Sequence, residues 1–384
     1  MASAFTGGPI LCVVGARPNF MKIAPVIRAL RGASPPLPAR LVHTGQHYDA
    51  EMNSQFFEAL GIPDPDINLE VGSASHALQT AEVMRRFEPV LDREQPAAVL
   101  VVGDVNSTLA CALVAAKKGV PVIHVEAGLR SYDRTMPEEV NRVLTDQISD
   151  LLFTTERSAR ENLLREGIAD AGIHFVGNVM IDTLRQNLKQ AVPAAQTLKR
   201  LGAAADWAQG GFGVLTLHRP SNVDDAPTLR AVLGAVCEVG RRIPVVFPMH
   251  PRTRAKVEQH GLAPLLDARW VLALPPLGYL EMLGLMQSAR LVLTDSGGIQ
   301  EETTALGVPC VTLRENTERP ITVEQGTNTV VGQDPARIVA VADDILRTGG
   351  KAGRVPELWD GRAAQRIAAV LREWLDRTGA RLVA

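Results

Sequence analysis

LVLTDSGGIQEETTALG, residues 291–307, decides the fold. Leu291-Val292-Leu293 is an apolar β-type run, Asp295-Ser296-Gly297-Gly298 is a turn, and the rest suits a helix with carboxylates in its first turn. A turn of this kind is a ready-made anion site. The first helical N–H groups have no partner within the helix, and the helix dipole places partial positive charge there. Gly297 and Gly298 let a ligand approach the backbone, and the Ser296 hydroxyl can cap the helix or bind a phosphate oxygen. Glu301 and Glu302 are placed one turn on to accept from ribose hydroxyls. An ordinary capped βα turn accounts for the same residues, so this stretch alone leaves both readings open.

The same alternation runs along the whole chain. In the first half, apolar runs at 10–15, 39–45, 97–104, 120–128, 150–155 and 173–178 read as strands, with helices such as 18–30 and 107–118 between them. In the second half the runs fall at 211–218, 243–250, 269–275, 289–298 and 308–314. Strands that are apolar throughout and separated by helices indicate a parallel sheet covered on both faces. The expected fold is therefore α/β, two Rossmann-like domains with parallel sheets facing a central cleft. The expected division is 1–178 for the first domain and 179–360 for the second, with a closing helix in 361–384 joining the first.

Composition narrows the function. A chain of 384 residues exceeds one ordinary core, and 46% hydrophobic with 21% charged residues describes a globular protein. A net charge of −2 argues against broad nucleic-acid binding. Cys12, Cys111, Cys237 and Cys310 lie far apart in apolar segments and read as small buried hydrophobes in a reducing compartment. No signal peptide or membrane-spanning run is visible, so a cytoplasmic, soluble protein is expected. No HExxH, Cys/His cluster or EF-hand spacing suggests a metal, and GxGxxG is absent, so no cofactor is expected.

Open α/β sheets bind ligands beyond the carboxyl ends of their strands. Polar residues stand at almost every such end here: Arg17, Gln46-His47, Asp104, His124 with Glu126, His218-Arg219, His250 with Arg252, Asp295-Ser296 and Arg314-Glu315. So many suggest a polar cleft for an anionic, hydroxyl-rich ligand. Arg17 and Lys22 can aim at it as a planar guanidinium and a point charge, although Pro18 also makes Arg17 a normal helix start. Asp104 and Glu126 end apolar strands, where burial suits a carboxylate to general acid–base work. Glu138 is equally explained as a first-turn helix acid. His218 and His250, each with an Arg close by, suit pyrophosphate.

Taken together, GARPNFMKIAP, TGQHYD, VVGDVNST, HVEAGLRS, MPEEVNRVLTDQISD, GNVMID, TLHRPSN, PMHPRTR, LTDSGGIQEE and TERPI resemble the non-hydrolysing UDP-N-acetylglucosamine 2-epimerase family. Ten blocks in family order cover nearly the whole chain. The resemblance implies a glycosyltransferase-B-like fold, usually a homodimer, with a UDP-sugar substrate in the cleft and no redox cofactor. Such enzymes are expected in the cytoplasm, supplying cell-surface polysaccharide synthesis. It also implies elimination of UDP to 2-acetamidoglucal and re-addition with C2 inverted. By that resemblance Asp104, Glu126, Glu138, His218 and Lys22 are the catalytic set. Arg17, Arg142, His250, Ser296, Gly297, Gly298, Glu302 and Arg319 are the substrate-binding set.

Two departures stand out. Relatives activated by a second UDP-N-acetylglucosamine tend to read Gln-His-Arg and His-Arg-Arg-Glu where this chain has Gln46-His47-Tyr48 and His218-Arg219-Pro220-Ser221. Losing two cations predicts little or no allosteric activation. Similar sequences also act on UDP-2,3-diacetamido-glucuronate, which leaves the sugar open. A glycosyltransferase of the same fold, a hydrolysing relative releasing N-acetylmannosamine, and a non-catalytic UDP-sugar binder are the further alternatives. The cluster of carboxylates disfavours the last, since diphosphate binding alone does not call for added negative charge.

Overall fold

Ile10-Leu11-Cys12-Val13-Val14 contains no charged residue, and the strand it forms, β1 (Ile10–Val14), is buried along its length. A strand apolar on both faces needs cover on both, which a parallel sheet between helices provides. The computed structural model describes residues 7–45, 64–202 and 207–382. These divide into one unit of Met1–Thr183 with Glu357–Ala384 and a second of Leu184–Pro356.

In the first unit β1 is followed by β2 (Ala39–His43), β3 (Ile67–Asn68), β4 (Ala98–Val102), β5 (Val122–Ala127), β6 (Leu151–Thr154) and β7 (Ile173–Phe175). They form one sheet in the order β3-β2-β1-β4-β5-β6-β7, with every pair parallel. One face is covered by the helix His76–Glu94, whose Val83, Phe87, Val90 and Leu91 pack with Leu11, Val13, Val99 and Val101. Each such apolar side chain contributes roughly 1.5–3 kcal/mol of burial free energy. The helix Arg17–Arg31 packs against the closing helix Ala363–Leu382. Asp182, fully buried, accepts the N–H groups of Ala363 (3.1 Å) and Ala364 (2.7 Å) and so caps the closing helix. That helix thereby belongs to the first unit.

The second unit repeats the scheme with β8 (Gly213–Thr216), β9 (Val245–Pro248), β10 (Val271–Leu274), β11 (Leu291–Thr294), β12 (Cys310–Thr312) and β13 (Asn328–Val330). The order is β10-β9-β8-β11-β12-β13, again all parallel. Its core joins Val232, Val236 and Val239 of the helix Ala226–Gly240 to Val245, Phe247, Leu291 and Leu293. The short strands β3 and β13 are not among those expected from the sequence. Ile67-Asn68 and Asn328-Thr329-Val330 carry polar residues and form no apolar run.

Both sheets reverse direction of winding once, between β1 and β4 and between β8 and β11. These topological switch points are where loops splay apart and ligands bind. The cysteines behave as packing residues: Cys12, Cys111 and Cys310 are buried, and burial pushes the Cys12 and Cys310 thiols up to about 12. Among the described residues, no helix is long and apolar enough to cross a membrane.

Candidate active site

In the first unit the switch point brings together the turns after β1 and β4. Asn19 ties them: its Oδ1 accepts the Ala16 N–H (3.2 Å) and its Nδ2 donates to the Val102 carbonyl (2.7 Å). Arg17 opens the helix Arg17–Arg31, and its side chain lies outside the described part of the structure. Lys22, one turn in, sends Nζ to within 2.7 Å of Glu126 Oε1, with both side chains buried. Glu126 reaches this place from an unusual backbone. It has φ +74° at a register shift between Val125 and Ala127, a conformation that L residues other than glycine adopt at a cost. Gly103, at φ +65°, lies beside the pair, and a Cβ there would stand 2.9 Å from Lys22 Nζ.

Asp104 follows Gly103 and meets Arg142 of the helix Pro137–Gln147. Arg142 Nε lies 3.2 Å from Asp104 Oδ2, and one terminal nitrogen donates to the same oxygen more closely. The other terminal nitrogen is bonded to Glu139. Asn141, on the same helix, donates to the Asp104 carbonyl (2.9 Å). Arg142 is therefore buried between two carboxylates, a position from which it orients Asp104. Glu138 is half-buried in the first turn of this helix. Its neighbour Glu139 is the buried one, accepting the N–H groups of Ser131 (3.0 Å) and Tyr132 (2.8 Å). Nothing in the sequence singles out Glu139, because adjacent acids at a helix start look alike until the helix phase is known.

The second unit has its own set at its switch point. His218 follows β8 and Asp295 follows β11. His218 Nδ1 lies 2.9 Å from Asp295 Oδ1, and Asp295 Oδ2 accepts the N–H groups of His218 (2.9 Å) and Arg219 (2.8 Å). Burial pushes the Asp295 carboxyl up, but the His218 imidazole and these N–H groups outweigh it and hold it below its usual value. The carboxylate fixes the ring and directs Nε2 the other way, and the His218 side chain is 37% exposed. The His250 ring stands beside it, with centroids 5.7 Å apart, while His250 Nδ1 accepts the Arg252 N–H at the start of the helix Pro251–Gln259.

Ser296 is the N-cap of the helix Gly297–Leu306, and its side chain makes no capping bond. At Gly297 a Cβ would lie 2.5 Å from Glu318 Oε1, so a larger residue there would displace that carboxylate. Gly298, half-buried, completes the first turn. Glu302 is buried further along and accepts from the Tyr279 hydroxyl at 2.8 Å. Burial pushes its carboxyl up to about 7, with the Tyr279 hydrogen bond acting against the shift. Arg319, expected at the substrate, has its guanidinium against buried Glu301 at 2.7 Å.

The first unit thus gathers Lys22, Glu126, Asp104 and Arg142, a set suited to moving protons between stabilised carboxylates. The second gathers an oriented imidazole and a glycine-rich helix start, a set suited to an anion. Gln46, His47 and Tyr48 lie outside the described residues. Among the described residues no group of three His, Cys, Asp or Glu could hold a metal ion.

Comparison with known proteins places this geometry. The family model of UDP-N-acetylglucosamine 2-epimerase matches residues 29–372. A UDP-N-acetylglucosamine 2-epimerase of Methanococcus maripaludis is 43% identical over 339 residues, covering 88% of this chain and 91% of that protein. A UDP-2,3-diacetamido-2,3-dideoxy-D-glucuronate 2-epimerase of Pseudomonas aeruginosa is also 43% identical, over 94% of this chain and 99% of its own length. The crystal structure of the Methanocaldococcus jannaschii UDP-GlcNAc 2-epimerase in complex with UDP-GlcNAc and UDP superposes with a TM-score of 0.85. It is 40% identical and covers 95% of this chain and 99% of that one. With strands, switch points and strand-end residues arranged as described, the chain belongs to the UDP-N-acetylglucosamine 2-epimerase family.

Proposed function

We propose that this protein interconverts UDP-N-acetylglucosamine and UDP-N-acetylmannosamine by inverting C2. A carboxylate of the first unit takes the C2 proton while the C1–O bond breaks and UDP leaves with the electron pair, giving 2-acetamidoglucal. UDP then adds back at C1 as a proton returns to C2 from the other face. The observation that carries the reading is the buried Lys22–Glu126 pair at 2.7 Å beside the Gly103-Asp104 turn. A carboxylate paired with a cation and a second held by Arg142 supply proton-transfer groups for the two faces. Glu138 joins them as the third proton-transfer group.

His218, Arg17, Ser296 and the N–H groups near Gly297 and Gly298 stabilise the charge developing on the diphosphate. Glu302 accepts from the ribose, and His250, Arg142 and Arg319 complete the binding set, the last two by holding neighbouring carboxylates. A cytoplasmic homodimer serving cell-surface polysaccharide synthesis goes with the same reading, and sedimentation at micromolar concentration tests the dimer.

The P. aeruginosa relative supports UDP-2,3-diacetamido-glucuronate as a second substrate reading. A proton NMR time course in heavy water, run with each UDP-sugar, tests both. Deuterium is expected at C2 of the true substrate, with its 2-epimer accumulating. Absence of exchange with either overturns the proposal, and free sugar with UDP as end products identifies a hydrolase instead.

A further inference from the structure

Asp104 and Glu126 stand at the ends of neighbouring strands, one just after a residue of positive φ and the other at one: Gly103 at +65° and Glu126 at +74°. Such turns place side chains well only when something outside them holds the backbone. That support converges on one buried side chain. His124, on β5, directs Nε2 to the Gly103 carbonyl (2.8 Å) and Nδ1 to Asp146 Oδ1 (2.6 Å). Asp146 Oδ2 accepts the Gly128 N–H (3.1 Å), two residues beyond Glu126, and lies 2.7 Å from the Arg130 guanidinium. Arg130 is in turn paired with Glu166 at 2.6 Å. The His124 and Asp146 side chains are fully buried.

One proton position follows from the partners. A carbonyl oxygen can only accept, so Nε2 of His124 carries hydrogen. On the other side of the ring Nδ1 faces the Asp146 carboxylate, which also receives an N–H and a guanidinium. His124 thus spans the end of β4 and the helix Pro137–Gln147. That helix also presents Arg142 and Asn141 to Asp104.

We propose that Asp146, acting through His124 and the Gly128 N–H, is the positioning residue that holds the Asp104 and Glu126 turns in one fixed relation. Neither side chain touches the reacting atoms. Their part is to keep two proton-transfer groups from drifting relative to each other, where a displacement of about 1 Å costs about 100-fold in rate. The inference rests on the epimerase reading above.

The test uses the full-length protein with Asp146→Asn and His124→Gln. Glutamine keeps a donor but cannot span both acceptors. Deuterium exchange at C2 is expected to fall about 100-fold in kcat, with KM and UDP affinity, the latter set by the second unit, within about twofold of wild type. An Asp146→Asn variant exchanging at the wild-type rate overturns the positioning role. Should either variant fail to fold, nitrogen-15 NMR of the histidines in the wild-type protein at neutral pH decides. Hydrogen on Nε2 of His124, bonded to the Gly103 carbonyl, is expected, and an unprotonated Nε2 overturns the clamp. A wild-type protein without C2 exchange overturns the epimerase reading itself, which separates that failure from this one.

Discussion

Lys22 Nζ lies 2.7 Å from Glu126 Oε1 across 104 residues of sequence, with both side chains buried. Removing one member of a buried ion pair leaves the other uncompensated, at about 3–5 kcal/mol. Lys22→Met is expected to destabilise the first unit by about that amount and to abolish C2 exchange. Glu126→Gln, which keeps volume and can still accept from Lys22, is expected to cost less stability but as much activity. Urea titrations beside exchange rates check the contrast. Equal stability losses in the two variants count against it.

Gly103 sits at φ +65° with Lys22 Nζ 2.9 Å from where a Cβ would be. Gly103→Ala combines a left-handed backbone penalty of about 1–2 kcal/mol with pressure on the ion pair. Its expected result is a folded protein with a lowered melting temperature and kcat reduced about tenfold or more. An alanine variant with unchanged kcat rules out the close packing as a functional constraint.

Asp295 holds His218 through Nδ1 at 2.9 Å. An asparagine at 295 presents either an amide oxygen or an amide nitrogen to that ring and no longer fixes its tautomer. Where a carboxylate performs this task at a catalytic histidine, its loss costs up to about 10⁴-fold in rate. Asp295→Asn is expected to lower kcat at least about tenfold and to weaken UDP binding, read by steady-state kinetics and calorimetry.

Glu302 makes stability depend on pH. Burial raises its carboxyl to about 7 in the folded protein, above the ordinary 4.5. A carboxyl raised on folding stabilises the protein below the unfolded value, and that contribution is lost as pH rises through the folded value. Between about pH 4.5 and about 7, wild type should therefore lose stability relative to Glu302→Gln. Denaturant midpoints of the two proteins at pH 5 and pH 8 measure the difference. UDP affinity should move oppositely, rising as Glu302 ionises and becomes a full acceptor for ribose, and the variant should lack that rise.

Pro220 and Ser221 begin the helix Pro220–Val223 directly after His218-Arg219, so no further cation follows Arg219 there. Initial rates against UDP-sugar concentration are expected to be hyperbolic. Sigmoidal kinetics that disappear when a trace of substrate is removed would overturn this.

The fold was legible because its signals are local. Apolar runs without polar alternation predicted buried parallel strands, and thirteen strands in two all-parallel sheets are what the described residues form. The edge strands β3 and β13 were not legible, because Ile67-Asn68 and Asn328-Thr329-Val330 mix polar residues into what would be the run. The site was half legible. Strand-end residues such as Asp104, Glu126, His218 and Asp295 announce themselves by interrupting apolar runs; the pairing of β4 with β5 then sets Asp104 near Glu126, and the switch point between β8 and β11 sets His218 beside Asp295. Glu139, Asp146 and Arg130 carry no such mark, since charged residues on helices and loops usually face water.

The sequence by itself determined the alternation of strands and helices and which residues stand at strand ends, because each depends on neighbours a few residues away. Only the tertiary structure decided that Lys22 meets Glu126, that Arg142 holds Asp104 rather than standing alone, that Glu139 and not Glu138 is buried, and that Ser296-Gly297 shares its place with Glu318. Those outcomes depend on helix phase, on one positive-φ residue at Glu126 and on sheet order, and none of these is encoded in spacing along the chain.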